Sequence, residues 1–353
     1  MNNLKKVGLT ALAGSLVAVS AQAGEMAVTG SANVSYTHGK GLGKSIGSDK
    51  DVTFTGSGEL DNGWSFVVST TTTDAMSVSS SYTSLTMGSL GTLTVGNGTG
   101  GASGAYDEEV PQAYEQISDQ NKGNHAANKI GDNLDNNSLV YNSPTFDLGG
   151  ASVAFDLSYS PNAHDGGASD GGAATYVDDV NDGYGVGINA AMGGFKVGAF
   201  AAEFDADDPA GATDAFQAVG FINYSAGPIA VGYSQSYSDS GDNTGAEAAN
   251  AAKSDSTDTD NGFYEGHQWS VAMNVNENLS ISYTEAETTY DAQASNASGQ
   301  TVADVDLKSD AIQVAYSMGA MSIKAYRMSH ENPGYDNDAK DVDTTEITLG
   351  LAF

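Results

Sequence analysis

The chain has 353 residues, 13 Lys+Arg against 45 Asp+Glu, and a formal net charge of −32. So acidic a chain lacks the basic surface that nucleic acid requires and is not drawn to an anionic membrane surface. It contains no cysteine, which excludes disulfide scaffolds, thiolate metal sites and cysteine nucleophiles.

Residues 1–23 read as a cleaved secretory signal peptide. Lys5 and Lys6 give a positive start, Val7 to Val19 an apolar run, and Ala21-Gln22-Ala23 a small-residue cleavage site. The run is too short for a spanning helix, which needs about 20 apolar residues. Residues 24–353 form one domain, with 11 basic and 45 acidic residues and a net charge of −34.

From there the chain has a period of two, the signature of strands with one apolar and one polar face. Met26, Val28, Ala32, Val34 and Tyr36 open the series, followed by Trp64, Phe66 and Val68. Val153, Phe155, Leu157 and Tyr159 come next, then Tyr184, Val186 and Ile188 alternating with glycines. Further runs are Ile229–Tyr233, Trp269–Val275, Leu279–Tyr283 and Ile347–Phe353. Short connections rich in Gly, Asn and Asp, such as Asp61-Asn62-Gly63 and Gly193-Gly194, alternate with long ones. The long ones fall near 38–50, 98–137, 161–182, 205–213, 238–264, 291–306 and 331–342, with a brief one near 72–78. The alternation predicts about 16 strands.

A soluble sandwich would not sort its connections into a short and a long set. The pattern predicts an all-β fold, a transmembrane antiparallel β-barrel with short periplasmic turns and long outer loops. Closure satisfies every backbone group in hydrocarbon, and about 16 strands leave a water-filled bore. Aromatics flank the short turns (Trp64, Phe195, Tyr224, Tyr316, Phe353) and the long loops (Tyr36, Tyr159, Tyr237, Tyr290), as two girdles would. Polar parity puts Glu59, Asp156, Lys196, Lys324 and Glu346 on the pore wall. Arg327, the single arginine, shares its parity with Ile323 and Ala325, and Tyr326 with Lys324.

The leader, the opening strand Glu25–Tyr36, the long loop after the fifth strand and the closing Glu346–Phe353 make the chain resemble the general porins of Gram-negative outer membranes. The resemblance implies an outer-membrane pore for passive diffusion of small hydrophilic solutes and ions. It implies association as a homotrimer among outer-membrane lipids, and an assembly machinery that reads the terminal Phe353. It also implies that the third outer loop, 98–137, folds inward as the constriction. Its carboxylates Asp107, Glu108, Glu109, Glu115 and Asp119 would then form a cation-preferring ring. Two features depart from the family: no arginine cluster stands ready to face those acids, and the second outer loop, which latches onto a neighbour in some trimers, is short.

Other readings are weaker. Gly96–Gly101 matches G-x-G-x-x-G but is followed by acids, which would repel a pyrophosphate. The histidines, His38, His125, His164, His267 and His330, form no H-E-x-x-H, and no enzyme is indicated. No cofactor is expected beyond weak binding of Ca2+ or another divalent ion by acidic loops such as Asp178-Asp179. The alternatives are a substrate-specific outer-membrane channel, or a secreted surface β-protein with an adhesion or coat role.

Overall fold

The computed structural model describes residues 24–40, 43–74, 76–97, 102–107, 109–119, 125, 130–135, 137–161, 182–205, 214–239, 263–291 and 304–353. The predicted leader, Glu108 and the Asp178-Asp179 pair lie outside them.

The strands are β1 (Glu25–Lys40), β2 (Gly43–Glu59), β3 (Ser65–Thr72), β4 (Val78–Thr86), β5 (Thr92–Asn97), β6 (Ser138–Asn142), β7 (Phe146–Leu148), β8 (Ala151–Ser160) and β9 (Gly183–Met192). They continue as β10 (Phe195–Phe204), β11 (Ala215–Ala226), β12 (Ile229–Asp239), β13 (Phe263–Asn274), β14 (Leu279–Asp291), β15 (Val305–Met318), β16 (Met321–Glu331) and β17 (Val342–Ala352). β6 and β7 both pair with β8 and are two segments of one crossing, split at Ser143-Pro144-Thr145. Pro144 has no N–H to give a ladder, and Ser143 bridges the break by accepting from the Phe155 N–H at 2.9 Å. Among the described residues, the 17 strands thus make sixteen crossings of a single sheet. Each pairs antiparallel with the next, and β17 returns to β1 with Ala352 opposite Ser31.

Closure is finished at the C-terminus. Phe353 donates its N–H to Gly30 O at 3.0 Å and accepts from the Gly30 N–H at 2.8 Å. Its ring lies against Gly30, where a Cβ would fall 2.4 Å from it. Glycine is needed there for close approach.

Burial is inverted relative to a soluble protein. Ile312 is 64% exposed, while its strand neighbours Ala311 and Gln313 are 0% and 1% exposed. Outward positions carry Val186, Ile188, Ile222, Val231 and Leu349. Inward positions carry Ser234, Ser236, Gln268, Ser282, Thr284 and Thr288. Alternation of this sense suits hydrocarbon outside and polar contents inside. Rings pair at both ends of the apolar band: Phe195–Tyr224 (4.5 Å) toward the short turns, Tyr159–Tyr184 (5.3 Å) and Tyr237–Phe263 (5.6 Å) toward the long loops.

Two expectations are corrected. The connection predicted at 38–50 is almost all strand: β1 runs to Lys40, and β2 resumes at Gly43. Pairing with β1 from Gly39↔Gly43 onward overrides the loop-like Gly, Ser, Lys and Asp composition. Tyr290 is no girdle residue. It shares the inward parity of Thr288 and is 4% exposed, packed with Tyr264 (5.1 Å) and with Tyr335 of the last outer loop.

Candidate functional site

The interior is shaped by the segment between β5 and β6. It carries one-turn 3-10 helices at Ser103–Ala105, Ile117–Asp119 and Asp132–Asp135. Its contacts are with the inner faces of strands far away in sequence, so the described part lies inside the barrel.

At one end Tyr106 is fully buried. Its ring stacks on Phe200 at 5.5 Å and meets Phe221 at 6.5 Å, within a cluster that includes Ile130, Leu134 and Val219. The ring occupies space left by Gly187, where a Cβ would come within 2.4 Å of it. Its phenol donates to Asp156, which also accepts from Asn142 Nδ2 (2.8 Å) and Asn189 Nδ2 (3.4 Å). Burial and the Asp156 hydrogen bond hold the Tyr106 phenol well above the usual tyrosine range. Asp156, expected on the pore wall, is thus 6% exposed beneath the segment, its charge absorbed by three donors.

The segment then crosses toward β17. Lys196 on β10 pairs with Glu109 at 2.7 Å, both largely buried. The Ala113 N–H donates to Ser282 Oγ at 2.9 Å. Gln313 on β15 accepts from the N–H groups of Tyr114 (2.8 Å) and Glu115 (3.0 Å). The Tyr114 phenol oxygen lies 2.9 Å from Glu346 Oε1 and from Thr348 Oγ1 on β17. Desolvation, with Glu115 and Glu346 nearby, pushes the Tyr114 phenol far up. Ile117 seals a small apolar cluster with Ala286, Ala311, Tyr326 and Met328.

The return limb is tied by His125. Its Nδ1 lies 2.9 Å from Thr288 Oγ1 and its Nε2 lies 2.8 Å from Ser309 Oγ, which in turn lies 2.7 Å from His330 Nδ1. Burial pushes the His125 imidazole down from 6.5 to about 3, with His330 and His267 adding like charge. Gly131 N–H donates to Gln217 Oε1 at 2.7 Å, and Asn137 N–H to Asn97 Oδ1 at 2.6 Å, closing the path at β5.

These contacts run round the wall from β8 to β17. The inner faces of β1, β2 and β4 stay partly exposed, with Ser31, Asn33, Ser35, Thr53, Thr55 and Ser84. The water-accessible part of the interior therefore lies between that hydroxyl-rich wall and the segment. Asp49 and Asp51, paired with Asn33 and Ser31, stand on the inner face of β2. The loop expected at 38–50 takes in Asp49, and Asp51 follows directly after it; neither is among the expected wall residues. Their signal was available: they alternate with Lys50 at a period of two.

The remaining expected residues fall as follows. Asp107 and Glu115 are partly exposed on the segment. Asp119 closes the Ile117–Asp119 turn. Glu59 is exposed near the short-turn end of β2. Lys324 on β16 faces inward with its Nζ 4.9 Å from the Tyr114 ring centroid, whereas Arg327 faces outward and is exposed. Phe200 and Tyr326, on bore parity, are buried under the segment rather than lining open water. At the outer ends of β10 and β11, the exposed carboxylates of Glu203, Asp205 and Asp214 lie within 4.8 Å of one another.

A family model described as Gram-negative porin matches residues 8–353. The chain is similar to Salmonella typhi OmpF in complex with daunomycin, with a TM-score of 0.68 and 12% identity over 94% of this chain and 98% of that one. It is similar to the trimer form of OmpT, an outer membrane protein of Vibrio cholerae, with a TM-score of 0.62 and 10% identity over 94% and 100%. An anion-selective porin from Comamonas acidovorans gives 0.62 and 12% over 94% and 100%. No curated protein matches the chain.

Proposed function

The chain belongs to the Gram-negative porins, outer-membrane channels for passive diffusion, and from that membership we propose a cation-preferring pore for small hydrophilic solutes, narrowed by the 98–137 segment. Family membership leaves the sign of selectivity open, since a similar structure is anion-selective.

The observation that carries the proposal is the imbalance of charge along the interior. Inner-face and segment positions hold Asp49, Asp51, Glu59, Asp107, Glu115 and Glu346 on the acidic side. Of the inward lysines among the described residues, Lys196 pairs with Glu109 and Lys324 lies over the Tyr114 ring. Low-dielectric walls focus such a field along a narrow aqueous path. At 0.1 M salt the Debye length is about 10 Å, so wall charges are felt over that distance into the passage.

The proposal includes a homotrimer, by analogy with the trimer form of the Vibrio cholerae protein, a leader removed after Ala23, and recognition of Phe353 during assembly. Reversal potentials of the purified protein in a planar bilayer under a KCl gradient test the selectivity. A potential of the sign expected for K+ supports it, and the opposite sign refutes it.

A further inference from the structure

We infer that Tyr114 is the specificity-determining residue of the bore, holding the Lys324 ammonium on its ring so that the nearby carboxylates set the sign of the field. This rests on the proposed cation preference and adds the residue that maintains it.

The geometry starts with Gln313, which is 1% exposed. Its Oε1 accepts from the N–H groups of Tyr114 and Glu115, and its Nε2 donates to the Glu115 carbonyl at 2.7 Å and to Gln112 Oε1 at 3.2 Å. The amide is saturated by groups of one short stretch, so the backbone at Tyr114 has a single position against β15. The ring is then fixed from three sides. Tyr326 lies at a centroid distance of 5.8 Å, the phenol donates to the Glu346 carboxylate, and Lys324 Nζ sits 4.9 Å over the ring. Lys324 is directly opposite Thr348 in the β16–β17 register, and Thr348 also touches the phenol oxygen. Tyr114, Glu346, Thr348 and Lys324 thus form one patch where the segment meets the wall.

A lysine over an aromatic face is attracted to the negative face of the ring. Without the ring, the flexible four-carbon stem has two choices. It extends into the bore as a hydrated cation, or it pairs with Glu346, which has lost its phenol donor. Either choice removes negative field from the passage. Gln313 acts here as a positioning residue.

Three variants separate the ring, the phenol and the lysine: Tyr114→Phe, Tyr114→Leu, and Tyr114→Leu combined with Lys324→Gln. Each is first checked for heat-modifiable mobility and single-channel conductance, and reversal potentials are then read in a KCl gradient. Tyr114→Phe is expected to keep the wild-type potential, because the ring remains. Tyr114→Leu is expected to shift it toward the anion side, and the added Lys324→Gln to return it. Three results each overturn the inference: an unshifted Tyr114→Leu, an equal shift in Tyr114→Phe, or no recovery in the double variant. An anion-selective wild type would refute the proposed cation preference instead. The Tyr114→Leu shift, measured relative to that wild type, would still judge the role of the ring.

Discussion

Single side chains in this barrel do work that a soluble β-protein leaves to a core. Tyr106 is the clearest case, because its ring needs the absence of a side chain at Gly187 and its phenol needs Asp156 as its acceptor. Gly187→Ala would place a methyl group 2.4 Å from the ring. Overpacking of that kind costs about 1–3 kcal/mol, read as a lower denaturant midpoint for the refolded barrel. It should also displace the first limb of the segment and change the single-channel conductance. An unchanged midpoint and conductance would show that Tyr106 does not anchor the segment. At the other end of the chain, Phe353 exchanges both backbone hydrogen bonds with Gly30 and covers it. Its deletion removes the last closure of β17 on β1 and the proposed assembly signal. The expected result is less heat-modifiable barrel in the outer membrane and unfolded chain in the periplasm. Normal levels would refute that role.

The strands and the inward segment obey different rules. Alternation was readable from sequence because each strand has lipid on one side and polar contents on the other. Ser158–Ser160 and Gly183–Gly187 therefore mark the ends of β8 and β9 by composition alone. Even the row of glycines on β9, which makes room for Tyr106, was visible as a pattern. Its meaning was not, because Tyr106 is about eighty residues away and nothing local links the two. The same separation hides Gln313 and His125, whose partners are set by where the segment folds. Tyr290 and the 43–50 stretch depart from expectation for local reasons. An aromatic at a strand end looks like a girdle residue, and a polar Gly-Ser hairpin looks like a loop. The segment itself makes two predictions. Shortening 98–137 should raise single-channel conductance, and an unchanged conductance would mean that the segment does not narrow the passage. His125 gives a pH dependence. Its value falls from 6.5 to about 3 in the folded state, so a detached limb binds the proton more readily than the attached one. Attachment is fully present above pH 6.5 and weakens as pH falls toward about 3. Limited proteolysis of the segment should therefore accelerate across that window in the wild type. His125→Gln, which keeps polar groups without titrating there, should flatten the profile. Identical profiles would assign the effect to other groups.

For the whole molecule, the fold follows from two large effects. Closure of sixteen crossings satisfies the backbone where no water is present, and outward apolar side chains match a hydrocarbon band roughly 25 Å tall. Those effects say nothing about which ions pass. On the proposed reading, selectivity comes from a smaller set of side chains: Asp49, Asp51, Glu59, Asp107, Glu115 and Glu346 on the inner face and the segment, with Lys196 and Lys324 against Glu109 and the Tyr114 ring. Because the effect is electrostatic, it must weaken with salt as the Debye length drops from about 10 Å at 0.1 M to about 3 Å at 1 M. The most direct measurement is the wild-type reversal potential across a fixed KCl ratio, taken at a low and a high mean concentration. A K+-favouring potential that shrinks toward zero as salt rises is the expected result. A Cl−-favouring potential at low salt, or one that does not change with salt, would contradict the account.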